Sequence, residues 1–214
     1  MRVTDLRESP RRPGRYLVTL ADGTTLLLGV TALADAGVTG VGLELEPSVL
    51  ERLRCEARIT ALVDRALDLL ARGRRTRREL ERRLRMRDRE VAPEEIREAL
   101  DRLETTGLLS DGAVAEAEAS SRLRRGEAPG RVRAVLRRKG VASPVVGEAL
   151  REAMAGEAFD ERAACEAVAE KRIRSLAGLE PPVVRRRLQA FLLRRGFASC
   201  VVRTVSDRLL RGHP

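Results

Sequence analysis

Three stretches of the chain place apolar residues four apart inside strongly polar surroundings: Leu80 and Leu84, Val132 and Leu136, Leu188 and Leu192. Residues four apart lie one above the other on a helix, so each pair marks a narrow apolar stripe on a solvated surface. The surroundings repeat as well. They read RRELERRL over 77–84, RVRAVLRRKGV over 131–141 and RRRLQAFLLRRGF over 185–197, and the pairs begin 52 and 56 residues apart. Self-similarity at such a period marks stacked helical units that bury their apolar faces against one another.

Periodicity and punctuation predict three helices per unit. The first unit carries helices near 58–71, 76–87 and 93–105, with Pro93 at a helix start, Ile96, Leu100 and Leu103 as a core stripe, and Gly107 at a helix end. The second carries helices near 111–124, 129–139 and 144–154. There Gly140 closes the middle helix, and Ser143 reads as an N-cap with Pro144 just inside. The third carries helices near 159–176, 181–195 and 199–211, with Gly196 in the place of Gly140 and Ser199 in that of Ser143. In the first unit Asp88 stands where that glycine would be, a deviation common in terminal units of a stack.

The first fifty residues have a different rhythm. Tyr16–Leu20 and Thr24–Val30 are apolar and β-branched on either side of Asp22-Gly23, which predicts a hairpin whose turn takes positive φ at both residues. Short strands around Val3–Leu6 and Val41–Leu45 would complete a small sheet, with a turn or two of helix over Ala32–Ala36 ended by Gly37. Pro47 opens a long helix that runs on through Leu50, Leu53, Ile59, Leu62 and Val63. So few residues of sheet bury little alone, and the piece is expected to dock on, or hinge from, the first unit. The predicted fold is mainly α: three tandem three-helix, helix-turn-helix-like repeats in an elongated curved stack behind a β-hairpin-containing extension. The divisions fall at 1–57, 58–110, 111–157 and 158–214.

Charge follows the same period. Residues 72–89 hold ten arginines against three acids, 122–139 eight bases against one acid, and 185–203 six arginines against none. Between them the sign reverses, with eight acids against two bases over 94–118 and six against two over 148–166. The first fifty residues carry five bases and six acids, so the net charge of +10 belongs to the repeats. A negatively charged partner is the natural reading, whether nucleic acid or an acidic protein groove. Only Lys139 and Lys171 among the 42 basic residues are lysine, a bias that a GC-rich genome imposes by itself. Genome composition explains arginine over lysine; it does not explain a basic excess recurring at one phase of the repeat.

Several chemistries are set aside. Cys55, Cys165 and Cys200 lie far apart and the single histidine is His213, so a structural zinc site lacks ligands, and Ser-His or Cys-His nucleophile schemes lack a base. Cys165 and Cys200 fall on apolar helical phases and read as ordinary cytosolic thiols. Phosphate-cradling GxxxxGK[ST] and GxGxxG loops are missing from the sequence. Adjacent carboxylates such as Glu94/Glu95 and Asp160/Glu161 diverge by about 100° on a helix, which argues against a metal-dependent nuclease. The N-terminal MRVTDLRESPRRPGR has no apolar signal core, and the sequence offers no run of about 18 apolar residues to span a membrane. The expectation is a cytoplasmic, monomeric, non-enzymatic protein without cofactor, metal or small-molecule substrate.

Three helices with short connections also describe a DNA-reading helix-turn-helix module, and the turn over Arg137–Ser143 is compatible with one. Three in tandem are unusual for an operator-binding protein. The aromatics are Tyr16, Phe159, Phe191 and Phe197, and the three phenylalanines read as core. Without exposed stacking platforms, direct DNA affinity is expected to be weak, salt-sensitive and indifferent to sequence.

Over nearly its full length the chain resembles the RecX family. The likeness is carried by RALDLLARGRRTRRELERRL (65–84), LDRLETTGLLSDGAVAEAEASSRLRRGEAPGRVRAVLRRKGV (100–141) and FLLRRGFASCVVRTV (191–205). The segment 15–53 is similar to the β-hairpin extension of the longer members. One departure stands out: after Gly-Leu-Leu-Ser-Asp, Val114 and Glu118 occupy places where the family usually has aromatics.

The resemblance implies a regulator of the RecA recombinase. It would lie in the deep groove of a RecA filament on single-stranded DNA, inhibiting strand exchange, ATP turnover and the coprotease activity of the SOS response. The candidate contacts are Arg72, Arg74, Arg75, Arg77 and Arg78 in the first unit; Arg124, Arg125, Arg131, Arg133, Arg137 and Lys139 in the second; and Arg186, Arg187, Arg194 and Arg195 in the third. Guanidinium groups bind two oxygens of a carboxylate or phosphate at once, which suits them to this work. The alternative is a sequence-nonspecific DNA-binding helical protein that acts without a protein partner.

Overall fold

A computed structural model describes residues 1–88 and 90–211, so Arg89 of the first basic run and the lone His213 lie outside the described residues. It forms two compact units, 1–109 and 110–214.

In the first unit, β1 (Val3–Glu8), β2 (Arg15–Leu20) and β3 (Thr25–Gly29) form an antiparallel meander in that order, with Tyr16 opposite Leu28 and Val18 opposite Leu26. The β2–β3 turn differs from the expected one. Gly23 alone takes positive φ, +83°, and Asp22 instead accepts a hydrogen bond from the Thr24 N–H at 2.9 Å. That hydrogen bond also holds the Asp22 carboxyl below its ordinary pKa. The strand expected over 41–45 is a single bridge between Arg2 and Glu44. Gly42, at φ +90°, turns the backbone out of the extended region, so the segment touches β1 without forming a ladder.

Helix α1 (Val30–Asp35) is short and is followed by Gly37 at φ +66°. Helix α2 (Pro47–Ala71) starts with proline in its first turn and serves two cores. Leu50 and Leu53 pack with the sheet residues Val18, Leu20 and Leu28. Further along, Ile59, Leu62 and Ala66 pack with Leu80 and Leu84 of α3 (Arg77–Arg87) and Ile96, Leu100 and Leu103 of α4 (Pro93–Thr105). Shared ownership of α2 docks the sheet on the first repeat. Ion pairs reinforce it, Arg12 reaching Asp68 at 2.9 Å and Arg15 reaching Asp64 at 3.3 Å. A reciprocal capping box opens α3: Thr76 Oγ1 accepts from the Glu79 N–H, and the Glu79 carboxylate accepts from the Thr76 N–H.

The second unit holds two more three-helix repeats. The first comprises α5 (Asp111–Arg124), α6 (Pro129–Arg138) and α7 (Ser143–Gly156), around Ala115, Leu123, Val132, Leu136, Val146 and Leu150. The next comprises α8 (Glu161–Arg174), α9 (Pro181–Arg195) and α10 (Ser199–Arg211), around Cys165, Ile173, Leu188, Leu192, Phe197 and Val205. All six residues of the repeated apolar pairs are buried. Ala142, not Ser143, takes the cap position of α7, with no side-chain cap bond; Ser143 is the first helical residue. The helix expected over 159–176 spans Glu161–Arg174, its start set by Asp160, which accepts from the Arg162 and Ala163 N–H groups. Of the two cysteines assigned to apolar phases, Cys165 is buried, and burial pushes its thiol up to about 11. Cys200 is exposed, because at the second position of α10 it lies on the far side from Val202 and Val205.

Candidate partner and nucleic-acid interface

Helices α3, α6 and α9 are the middle helices of the three repeats, and each buries one stripe and projects arginine from the others. In α3 the buried stripe is Leu80 and Leu84, which leaves Arg78, Arg82 and Arg83 in solvent. In α6, Val132, Val135 and Leu136 are buried, so Arg133 and Arg137, one helical turn apart, are exposed. In α9, Val184, Leu188 and Leu192 are buried, and Arg186, Arg187 and Arg194 are exposed. None of these arginines makes an ion pair among the described residues. Solvated guanidinium groups keep their full donor capacity for an outside oxygen.

Other candidates are already engaged. Arg77 bonds Asp101 at 2.7 Å and Glu104 at 2.6 Å, which ties α3 to α4. Burial pulls the Arg77 pKa down, but the two carboxylates outweigh it and leave it raised. Lys139 pairs with Glu118 at 3.1 Å. Glu118 also accepts from Arg122 at 2.6 Å, so the residue at an aromatic place of the family pattern is here an ionic hub between α5 and the end of α6. Burial pushes the Glu118 carboxyl up, yet the bonds from Arg122 and Lys139 prevail and hold it below its ordinary value. Arg124 pairs with Glu157 at 2.7 Å. With Arg124 well exposed, such a pair contributes about 0–1 kcal/mol and can be exchanged for a partner's oxygen.

Arg72 and Arg74 are exposed and flank Gly73 at the end of α2, while Arg75 is half-buried with an Nε that has no hydrogen-bond partner among the described residues. Arg72 lies near enough to Asp68 to help Arg12 lower that carboxyl's pKa. Together with Arg65, Arg83, Arg87 and the apolar Leu69, Leu84 and Met86, Arg72 lines a groove of about 540 Å³ between α2 and α3. Met86 stands 75% exposed there.

The second unit brings together residues that the sequence left apart. Arg125, Arg131 and Arg195 line one cleft of about 590 Å³ between its two repeats, with Arg122, Glu127, Val168 and Phe197. The two repeats meet at that cleft through glycine: the Gly130 N–H at the start of α6 donates to the Gly196 carbonyl at the end of α9, at 3.0 Å. A Cβ on Gly130 would lie 2.4 Å from that oxygen, and one on Gly196 would lie 2.5 Å from the Arg131 nitrogen. Neither residue can be anything larger without separating the helices.

Phe191 is the site residue that sequence reasoning missed. It is half-buried rather than fully core, and the guanidinium carbons of Arg172 and Arg195 each lie 5.1 Å from its ring centroid. A signal did exist: Arg187, Phe191 and Arg195 are spaced four apart on one face of α9. Among the described residues no group of three or more His, Cys, Asp or Glu could hold a metal ion, and no helix is long and apolar enough to cross a membrane.

Comparison with known proteins agrees with this architecture. The family models "RecX, second three-helix domain" and "RecX, third three-helix domain" match residues 110–150 and 160–205. The chain is 39% identical to the regulatory protein RecX of Halorhodospira halophila over 149 residues, covering 68% of this chain and 86% of that one. Against its counterpart from Chromohalobacter salexigens it is 43% identical over 135 residues, covering 63% and 83%. A crystal structure of a regulatory protein RecX superposes with a TM-score of 0.79 at 22% identity, over 96% of this chain and 98% of that one. That of RecX from Lactobacillus salivarius gives 0.61 at 22% identity, over 71% and 96%. The repeats, the basic middle helices and these likenesses together make the chain a member of the RecX family of regulatory proteins.

Proposed function

We propose that this protein binds the RecA recombinase filament on single-stranded DNA and inhibits its strand-exchange, ATPase and coprotease activities, thereby modulating DNA repair and the SOS response. The observation that carries the reading is the arginine at the second helix of every repeat that is exposed and, among the described residues, without an ion pair: Arg78, Arg133, Arg137, Arg186, Arg187 and Arg194. A filament offers the same acidic or phosphate-bearing surface at regular intervals. Three repeats joined in one chain then gain avidity from contacts that are individually modest. Approach is steered by charge, so binding weakens as salt rises. Family membership supplies the link to RecA, and the role is that of a binder rather than a catalyst.

The test replaces Arg133 and Arg137 together by Glu and measures RecA-driven strand exchange and co-sedimentation with filaments across a salt series. Loss of inhibition with unchanged helicity is expected. Inhibition that survives undiminished would place the contact elsewhere.

A further inference from the structure

Arg125, Arg131 and Arg195 point their charge at one cleft, and among the described residues none of the three makes an ion pair. Glu127 is the single acid in that lining, and Arg122 Nη1 already holds both of its oxygens, at 2.9 and 3.0 Å. The cleft therefore concentrates positive charge without a counter-charge of its own, which favours an anion from outside. It differs from the other basic surfaces in a second respect. Arg195 belongs both to the cleft and to the pair of guanidinium groups held over Phe191. An arginine ordered against an aromatic ring presents a flat, weakly hydrated face, on which a nucleic-acid base stacks.

The Gly130–Gly196 contact sets the width of the cleft, since it fixes the start of α6 against the end of α9. Arg125, Arg131 and Arg195 are all exposed, so their guanidinium groups can be reached from solvent. A phosphate and a flat base side by side are features of a nucleic-acid strand; an acidic peptide supplies only the first.

We propose that the cleft between the second and third repeats grips single-stranded nucleic acid directly, with a backbone phosphate among Arg125, Arg131 and Arg195 and a base against the Arg172–Phe191–Arg195 stack. This deepens the filament reading, which concerns an assembly built on such a strand, but the contact itself needs no recombinase.

The experiment uses the full chain without RecA and follows a fluorescein-labelled oligo(dT) by anisotropy across a salt series. Arg125→Glu with Arg131→Glu should weaken binding about tenfold or more and flatten the salt dependence by about 0.7 in log–log slope for each phosphate that is no longer neutralised. Phe191→Leu should weaken it about fivefold or more at any one salt concentration, because stacking is lost while charge is kept. Arg203→Glu, exposed on α10 and outside the cleft lining, should stay within about twofold, as expected for reversal of one screened charge.

Circular dichroism of each variant confirms that helicity is retained. A loss in the Arg203→Glu protein half as large in log units as that of the double variant, or larger, would show that only net charge matters and would overturn the proposal. So would displacement of the strand by polyglutamate as effectively as by unlabelled oligo(dT). Strand-exchange inhibition by the Arg133→Glu/Arg137→Glu protein is scored separately, so either reading can fail while the other stands.

Discussion

Helices α6 and α9 end in the same way. Gly140 and Gly196 take φ of +91° and +95°, and each is followed by a buried apolar residue whose N–H folds back onto the helix. Val141 donates to the Leu136 carbonyl at 3.2 Å and Phe197 to that of Leu192 at 3.3 Å, the Schellman arrangement that glycine permits. The residue before each glycine is basic, but the two are held by different forces. Lys139 is tied to Glu118 by charge, whereas Arg195 lies over the ring of Phe191. Gly196 alone of the two also bonds through its carbonyl to the start of α6. One local device thus serves as a simple stop in one repeat and as a joint between repeats in the next.

The equivalence of the cores is the first thing to break. Leu136→Ala and Leu188→Ala each empty a fully buried position, and each should cost about 2–5 kcal/mol in urea unfolding. Unequal losses outside that range would show that the two repeats are not comparable units.

The joint comes next. Gly140→Ala and Gly196→Ala both force a side chain into the left-handed region, about 1–2 kcal/mol each. Gly196→Ala should cost a further 1–3 kcal/mol, roughly the penalty of overpacking, because its Cβ meets the Arg131 nitrogen at 2.5 Å. Gly130→Ala should show the overpacking without the conformational strain. Equal melting temperatures for the Gly140 and Gly196 variants would dissolve the distinction.

Acid should separate the two ends further, with a smaller effect. Glu118 gives up its proton at a lower pH in the folded chain than its ordinary 4.5. Its ties to Arg122 and Lys139 therefore stabilise the fold above pH 4.5 and are lost as the pH falls through the depressed value. Hydrogen exchange followed as the pH falls should show the end of α6 loosening before the end of α9, whose Arg195–Phe191 contact involves no carboxylate. The smallest change is Phe191→Leu, which removes the two guanidinium–ring contacts for about 0.5–1 kcal/mol apiece. In a thermal melt it should leave the Lys139–Glu118 tie intact.

Much of this architecture was legible beforehand because its signals are local. Apolar pairs four apart, prolines at helix starts and glycines at helix ends place α4, α5, α9 and α10 within the expected bounds. The readings that failed turned on one residue's competition with its neighbours. Asp160 made α8 start later than the apolar pattern suggested, Ala142 displaced Ser143 at the head of α7, and Gly42 broke the strand expected over 41–45. The basic character of the middle helices was legible in the sequence, but not which of their side chains carboxylates would hold. Arg133, Arg137, Arg186, Arg187 and Arg194 are exposed and make no ion pair among the described residues, while Arg77 and Lys139, indistinguishable from them in the sequence, are bound to Asp101, Glu104 and Glu118.

The amino-acid order alone determined the repeat, the helices within it, the buried pairs and the excess of positive charge on each middle helix. These follow from backbone preference and from the 3.6-residue period, which act within a few turns of chain. The tertiary structure decided which arginines are held by carboxylates, that two guanidinium groups lie over the Phe191 ring, and that Gly130 and Gly196 touch. Those outcomes depend on distances between residues up to 66 positions apart, and packing, not local propensity, sets such distances.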